Sequence, residues 1–144
     1  MNKVDPIVCE FSGIVPEIRT QVVLSVTGAA SCQPVRCEAV WDTGSFTTVI
    51  SPAVVKALGL YPLGRRPIHT ANGTYWANLY SLDVMLPNGM LVQGVAVSES
   101  DLKVCDVLIG MNIISMGDMK ITNRTNTKFV FRIPSEGDAP LGGS

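Results

Sequence analysis

The run Ala39-Val40-Trp41-Asp42-Thr43-Gly44-Ser45-Phe46-Thr47-Thr48-Val49-Ile50-Ser51 sets one carboxylate between two apolar, β-branched stretches. A charged side chain pinned between half-buried strands is costly unless it is hydrogen-bonded or paired. Asp42 is therefore a candidate site residue, and the chemistry a carboxylate offers is proton transfer. The plainer reading is a loop aspartate before a glycine, because both are ordinary turn residues. Three letters do not separate the two. Few other residues compete. His69 is the single histidine, so a Ser-His or Cys-His nucleophile would have to use it. No acid, serine or cysteine stands in a recognisable motif with it. Cys9, Cys32, Cys37 and Cys105 form no CxxC pair and lie far from His69, a spacing that argues against zinc. They read as small hydrophobes. Cys32 and Cys37 could face each other across a hairpin, so a disulfide is conceivable, although a reducing compartment works against it.

The elements around the knuckle are mostly extended. Arg19–Thr27 is rich in β-branched residues and alternates, which predicts a strand. Gly28–Pro34 is turn-like, and Val35–Trp41 returns as a strand that delivers Asp42 at its end. Thr47–Ile50 continues beyond the knuckle. Ser51 suits a helix N-cap, Pro52 the first helical position and Gly59 the left-handed stop, so Ala53–Leu58 should be a short helix. Leu60–Pro67 reads as a loop. Asn72-Gly73 lies between Pro67–Ala71 and Thr74–Leu79, and Pro87-Asn88-Gly89 between Tyr80–Leu86 and Met90–Val97. Asn-Gly between extended runs is a strong hairpin signal, because both residues accept positive φ. Val104–Gly110 is an apolar run of the buried-strand kind. Met111–Met116 could be a short helix, and Met119–Thr122 and Lys128–Ile133 look like two further strands. Many short strands with little helix argue for an all-β sandwich or barrel.

The chain of 144 residues fits one domain over 18–134, with a loosely ordered lead-in over 1–17 and a flexible Gly/Ser/Pro-rich tail over 135–144. Net charge is -1, and no basic cluster exceeds Arg65-Arg66, so no nucleic-acid footprint is expected. No apolar run approaches the ~20 residues that cross a bilayer. Met1–Pro6 lacks the apolar core of a signal peptide, which leads to the expectation of a cytoplasmic protein.

Taken together, the motifs resemble the retropepsin family of aspartic proteases, including its bacterial and phage-like members. The resemblance rests on Asp42-Thr43-Gly44 after Ala39-Val40-Trp41, on Ser45 and Thr48-Val49-Ile50, and on a hairpin some thirty residues later. It continues with Leu108-Ile109-Gly110, followed by Asn112-Ile113-Ile114. Order and spacing agree over roughly residues 20 to 122. The resemblance implies a small closed barrel with one or two short helices, active as a homodimer. It makes Asp42 the catalytic aspartate, with Thr43 bonding across the dimer and Gly44 allowing close backbone approach. Ser45, Thr48, Leu108, Ile109, Gly110 and Asn112 would support the knuckle. Thr70, Ala71, Asn72, Gly73 and Thr74 fall where the family keeps its flap. No organic cofactor or metal is implied, only a catalytic water, and the substrate would be an extended polypeptide.

The chain has one Asp-Thr-Gly triplet, so the second aspartate should come from a second copy. Two carboxylates a few ångströms apart cannot both ionise cheaply, and one keeps a proton; aspartic proteases are a standard example of this. The Ser45 hydroxyl, standing where many viral members have alanine, could donate to the Asp42 carboxylate. Tyr75 and Trp76 could be flap-base packing or subsite walls, Trp41 belongs in the core, and His69 reads as a solvated strand histidine. Viral members usually place Asp where Phe46 sits and Arg where Met111 sits, and both are apolar here. Losing the pair together is coherent, because losing one partner would strand a charge. The Phe131-containing segment Lys128–Ile133 could supply a dimer-interface strand or an edge within one subunit. The competing reading is a non-catalytic dimeric peptide-binding module on the same fold.

Overall fold

The structure is a computed structural model that describes residues 4–28 and 33–142. Alternation drives the first pair of strands: Ile18–Val26 (β2) buries Ile18, Thr20, Val22 and Leu24, one residue in two. It runs antiparallel to Val35–Trp41 (β3), in register from Ile18 opposite Trp41 to Leu24 opposite Val35. Cys32, and with it the conceivable Cys32–Cys37 bridge, lies outside the described residues.

After the knuckle come Thr48–Ile50 (β4), the helix Pro52–Leu58 (α1), Gly64–Thr70 (β5), Gly73–Met85 (β6) and Leu91–Glu99 (β7). Then follow Val107–Ile109 (β8), the one-turn helix Met111–Ile114 (α2), Asp118–Asn123 (β9) and Thr127–Arg132 (β10). Six strands close into a barrel in the order β2-β3-β8-β4-β7-β6, with β6 pairing back to β2 from Val23–Met85 to Val26–Leu82. Closure removes most free sheet edges. β5 lies outside the ring, and among the described residues it pairs with β6 alone. The all-β closed barrel with two short helices is the fold the motifs implied.

Helix α1 follows its caps: Ser51 accepts from the Val54 amide, Pro52 opens the helix, and Gly59 closes it at φ 63°. Elsewhere the structure differs from the sequence reading. The expected loop over 60–67 already enters β5 at Gly64, and β6 is a single strand of 13 residues that serves both hairpins. Thr70 pairs with Gly73, so the hairpin turns on Ala71-Asn72 rather than Asn72-Gly73.

Two terminal segments carry more structure than expected. Ile7–Glu10 (β1), read as part of a loose lead-in, pairs with β10 from Ile7 opposite Phe131 to Glu10 opposite Lys128. β10 is therefore the middle strand of a sheet β1-β10-β9, and neither of its edges is free. Residues 135–140, read as flexible tail, close around Arg132. Its guanidinium donates to Asp118 and to the carbonyls of Gly137, Ala139 and Pro140. The small sheet packs on the barrel through Trp41, whose ring sits 5.0 Å from Phe129 and 4.8 Å from Phe131. The indole nitrogen donates to the Thr20 hydroxyl at 2.9 Å, so its one polar atom is satisfied.

Candidate active site

β8 is inserted between the strand that enters the knuckle and the strand that leaves it. It runs parallel to β3, with Trp41 opposite Ile109, and antiparallel to β4, with Val49 opposite Leu108. The Asp42 amide donates to the Ile109 carbonyl at 2.9 Å. The turn then tightens on itself, because the Ser45 amide donates to the Asp42 carbonyl and the Gly44 amide to Asp42 Oδ1 at 2.9 Å. One carboxylate oxygen is thus held by the backbone. The side chain is half-buried, between a buried Trp41 and an exposed Thr43.

A second ring of bonds locks the knuckle to Gly110 and α2. Asn112 Oδ1 accepts from both the amide and the hydroxyl of Thr48, at 2.9 and 2.8 Å. Asn112 Nδ2 donates to the Ala96 carbonyl on β7. The Thr48 hydroxyl in turn accepts from the Gly110 amide at 3.2 Å. The Met111 amide donates to the Ser45 carbonyl. Gly110 leaves no room for a side chain: a Cβ there would lie 2.3 Å from the Thr47 carbonyl oxygen. Ser45 departs from expectation. Its hydroxyl donates to the Thr47 carbonyl at 2.6 Å, inside the turn, and not to the Asp42 carboxylate.

Asp42 opens onto a cleft of about 480 Å³ between the knuckle and the β5–β6 hairpin. Its walls include Phe46 (84% exposed), Ile68, Tyr75, Leu102 and Leu108. Asp42 is its one carboxylate, and Arg66 and His69 are its basic residues. Thr70 lines the cleft, while Ala71 to Thr74 form the exposed tip beyond it. Inside the tip the Thr70 hydroxyl donates to the Gly73 carbonyl, and His69 Nδ1 lies 2.9 Å from the Thr74 hydroxyl. On its other side the knuckle borders a groove of similar size. Asp42 and Thr43 meet Val15, Met119 and Ile121 there, so β9 flanks the site.

Sequence motifs identified the knuckle and its Leu108–Asn112 support, and the structure brings these together. Ile109 lies wholly in the core and acts through its carbonyl. The motifs missed Arg66, Ile68, Ser100 and Leu102 on the cleft wall. Arg66 lay in a presumed loop, and Leu102 in a polar break with no periodicity. Of the described cysteines, Cys37 is buried and Cys9 and Cys105 are half-buried. Burial, with a smaller contribution from the Asp106 charge, pushes the Cys37 thiol up to about 11, and burial also raises Cys9 and Cys105.

Residues 28–116 match the family model described as "gag-polyprotein putative aspartyl protease". No curated protein matches the chain significantly. Among solved structures, a retropepsin-like aspartic protease from Rickettsia conorii is similar at TM-score 0.57 and 16% identity. That similarity covers 91% of this chain and 97% of the other. The EIAV protease, solved in complex with the inhibitor HBY-793, is similar at TM-score 0.53 and 16% identity, over 69% of this chain and 86% of its own. At such identity the structures speak to the fold, which is that of retropepsins. The matched span takes in the Asp42 knuckle, the β5–β6 hairpin and the Leu108–Gly110 strand end, and the chain belongs to this aspartyl protease family.

Proposed function

We propose that the protein is an aspartic endopeptidase acting as a homodimer, with Asp42 of each subunit contributing one carboxylate. The observation that carries the reading is the Asp42 knuckle, fixed by the bonds of its own turn and by the Thr48–Asn112 ring, and opening onto a cleft that the β5–β6 hairpin borders. In the dimer one carboxyl holds a proton and the other is ionised. The ionised one takes a proton from a water lying between them, and that water's oxygen attacks the peptide carbonyl carbon. The protonated one gives its proton to the carbonyl oxygen. The diol then collapses, a proton passes to the nitrogen, and the C–N bond breaks. The two aspartates titrate as a pair, so the pH–rate profile belongs to both. No metal or organic cofactor enters these steps.

The groove beside Thr43 supports a second copy as the other half of the site. The edge of β9 away from β10 has no strand partner among the described residues, and Ile121 is 44% exposed beside the knuckle. Thr43, exposed at the same place, would bond across the two-fold axis of such a dimer. The β5–β6 hairpin would act as the flap, covering an extended substrate and excluding water. The test is digestion of a denatured protein mixture from acidic to neutral pH. Cleavage by the native chain and none by Asp42→Asn supports the enzyme. Equal cleavage by both removes Asp42 from the chemistry, and cleavage by neither favours a peptide-binding module.

A further inference from the structure

Strand β6 changes partners along its length. From Leu79 onward it pairs with β7, but over Gly73–Asn78 its strand partner among the described residues is β5 alone. Its other edge carries no strand there, because the chain leaves β7 at Glu99 and continues through Ser100 and Asp101, and Gly73–Trp76 are exposed while Ala77 is buried. The fork holds a groove of about 490 Å³. Pro52 and Trp76, the latter 60% exposed, give it apolar surface, and Glu99 and Asp101 give it two carboxylates. No lysine or arginine among the described residues lines it. Arg65 lies over the Trp76 ring, 5.9 Å from its centre, but is not part of the groove. The Asp101–Lys103 pair is fully at the surface, with side chains 74% and 80% exposed, and such a pair yields readily to a competing cation. Tyr75 and Ser100 line both this groove and the cleft at Asp42, so the two are neighbours.

We propose that this fork is an exosite for a basic, extended segment of the polypeptide being cleaved. The segment adds as a strand to the exposed edge of Gly73–Trp76 and sets a lysine or arginine side chain against Glu99 and Asp101. Backbone pairing supplies affinity without regard to sequence, and the carboxylates select the positive side chain. The identity of the bound polypeptide rests on the endopeptidase reading, while the binding itself does not.

The test uses the full chain carrying Asp42→Asn, so that the probe survives. Fluorescence anisotropy compares a labelled alternating valine–lysine peptide with its valine–glutamine counterpart. The expected result is at least about 10-fold tighter binding of the lysine peptide, with the preference gone in Glu99→Gln/Asp101→Asn. Glutamine at 99 still offers the Tyr80 hydroxyl an acceptor in place of its present 2.6 Å bond. Thermal unfolding checks that the variant is intact. Amide exchange over residues 74–76 should slow when the lysine peptide is added. Equal binding of the two peptides, or a variant that keeps the preference, overturns the proposal. Selective binding by a protein whose native form cleaves nothing would sink the endopeptidase reading and leave the exosite standing.

Discussion

At the scale of single residues, the site depends on atoms that leave no slack. Gly110 passes so close to the Thr47 carbonyl that any side chain must push the turn apart. Gly110→Ala should cost about 1–3 kcal/mol in denaturant unfolding and lower turnover as well. Asn112→Ala would strip the buried Thr48 amide and hydroxyl of their shared acceptor. Its expected cost is about 1–3 kcal/mol, because the amide stays buried without a partner. Ser45 makes the opposite case. Its hydroxyl is committed to the Thr47 carbonyl, so Ser45→Ala should lose about 1 kcal/mol of stability yet leave the acid limb of the pH–rate profile in place. A shifted limb would show that the hydroxyl reaches Asp42 after all. The aspartate, threonine and glycine of the knuckle were legible from type and order alone. The direction of the Ser45 hydroxyl was not, because only the folded turn brings the Thr47 carbonyl to it.

At the scale of elements, local chemistry was legible and long-range pairing was not. Helix α1 could be read because Ser51, Pro52 and Gly59 each fix a backbone conformation locally. β1 could not, since its partner β10 lies at the far end of the chain and β1 has no strong pattern of its own. β5 was hidden for a related reason: six of its seven residues are exposed, so no periodicity marks it, and pairing with β6 alone makes it a strand. The residues after β10 were hidden by their composition. Polar, glycine-rich chain is held there by Asp118 and Arg132. The Asp118 carboxyl drops to about 2, chiefly through the Ser135 hydroxyl, then the Glu136 amide and the Arg132 guanidinium. A folded-state value below the ordinary one means that ionised Asp118 stabilises the fold above pH ~4. That contribution is lost as the pH falls from ~4 through ~2. Asp118→Asn should therefore flatten the thermal-midpoint profile in that window. An unchanged slope would show that this cluster does not contribute to acid unfolding.

At the scale of the whole molecule, one barrel presents one Asp-Thr-Gly knuckle, and the proposed mechanism calls for two. The open β9 edge and the groove beside Thr43 are where a second copy would complete the cleft. Ile121→Lys places a charge on that face without touching the core. It should weaken self-association by about 10-fold or more and make activity fall on dilution. The single triplet raised the expectation of a second copy, and Lys128–Ile133 was read as either an interface strand or an edge within one subunit; it is the middle strand of its sheet, so neither of its edges is free for a partner.

The most direct test of this account is subunit mixing. Half of the native chain is replaced by Asp42→Asn at constant total concentration, exchange is allowed to reach equilibrium, and cleavage is measured. If each site needs an aspartate from both copies, mixed dimers are dead and activity falls to about a quarter. Activity at about half would mean that each copy works alone, which contradicts the shared site.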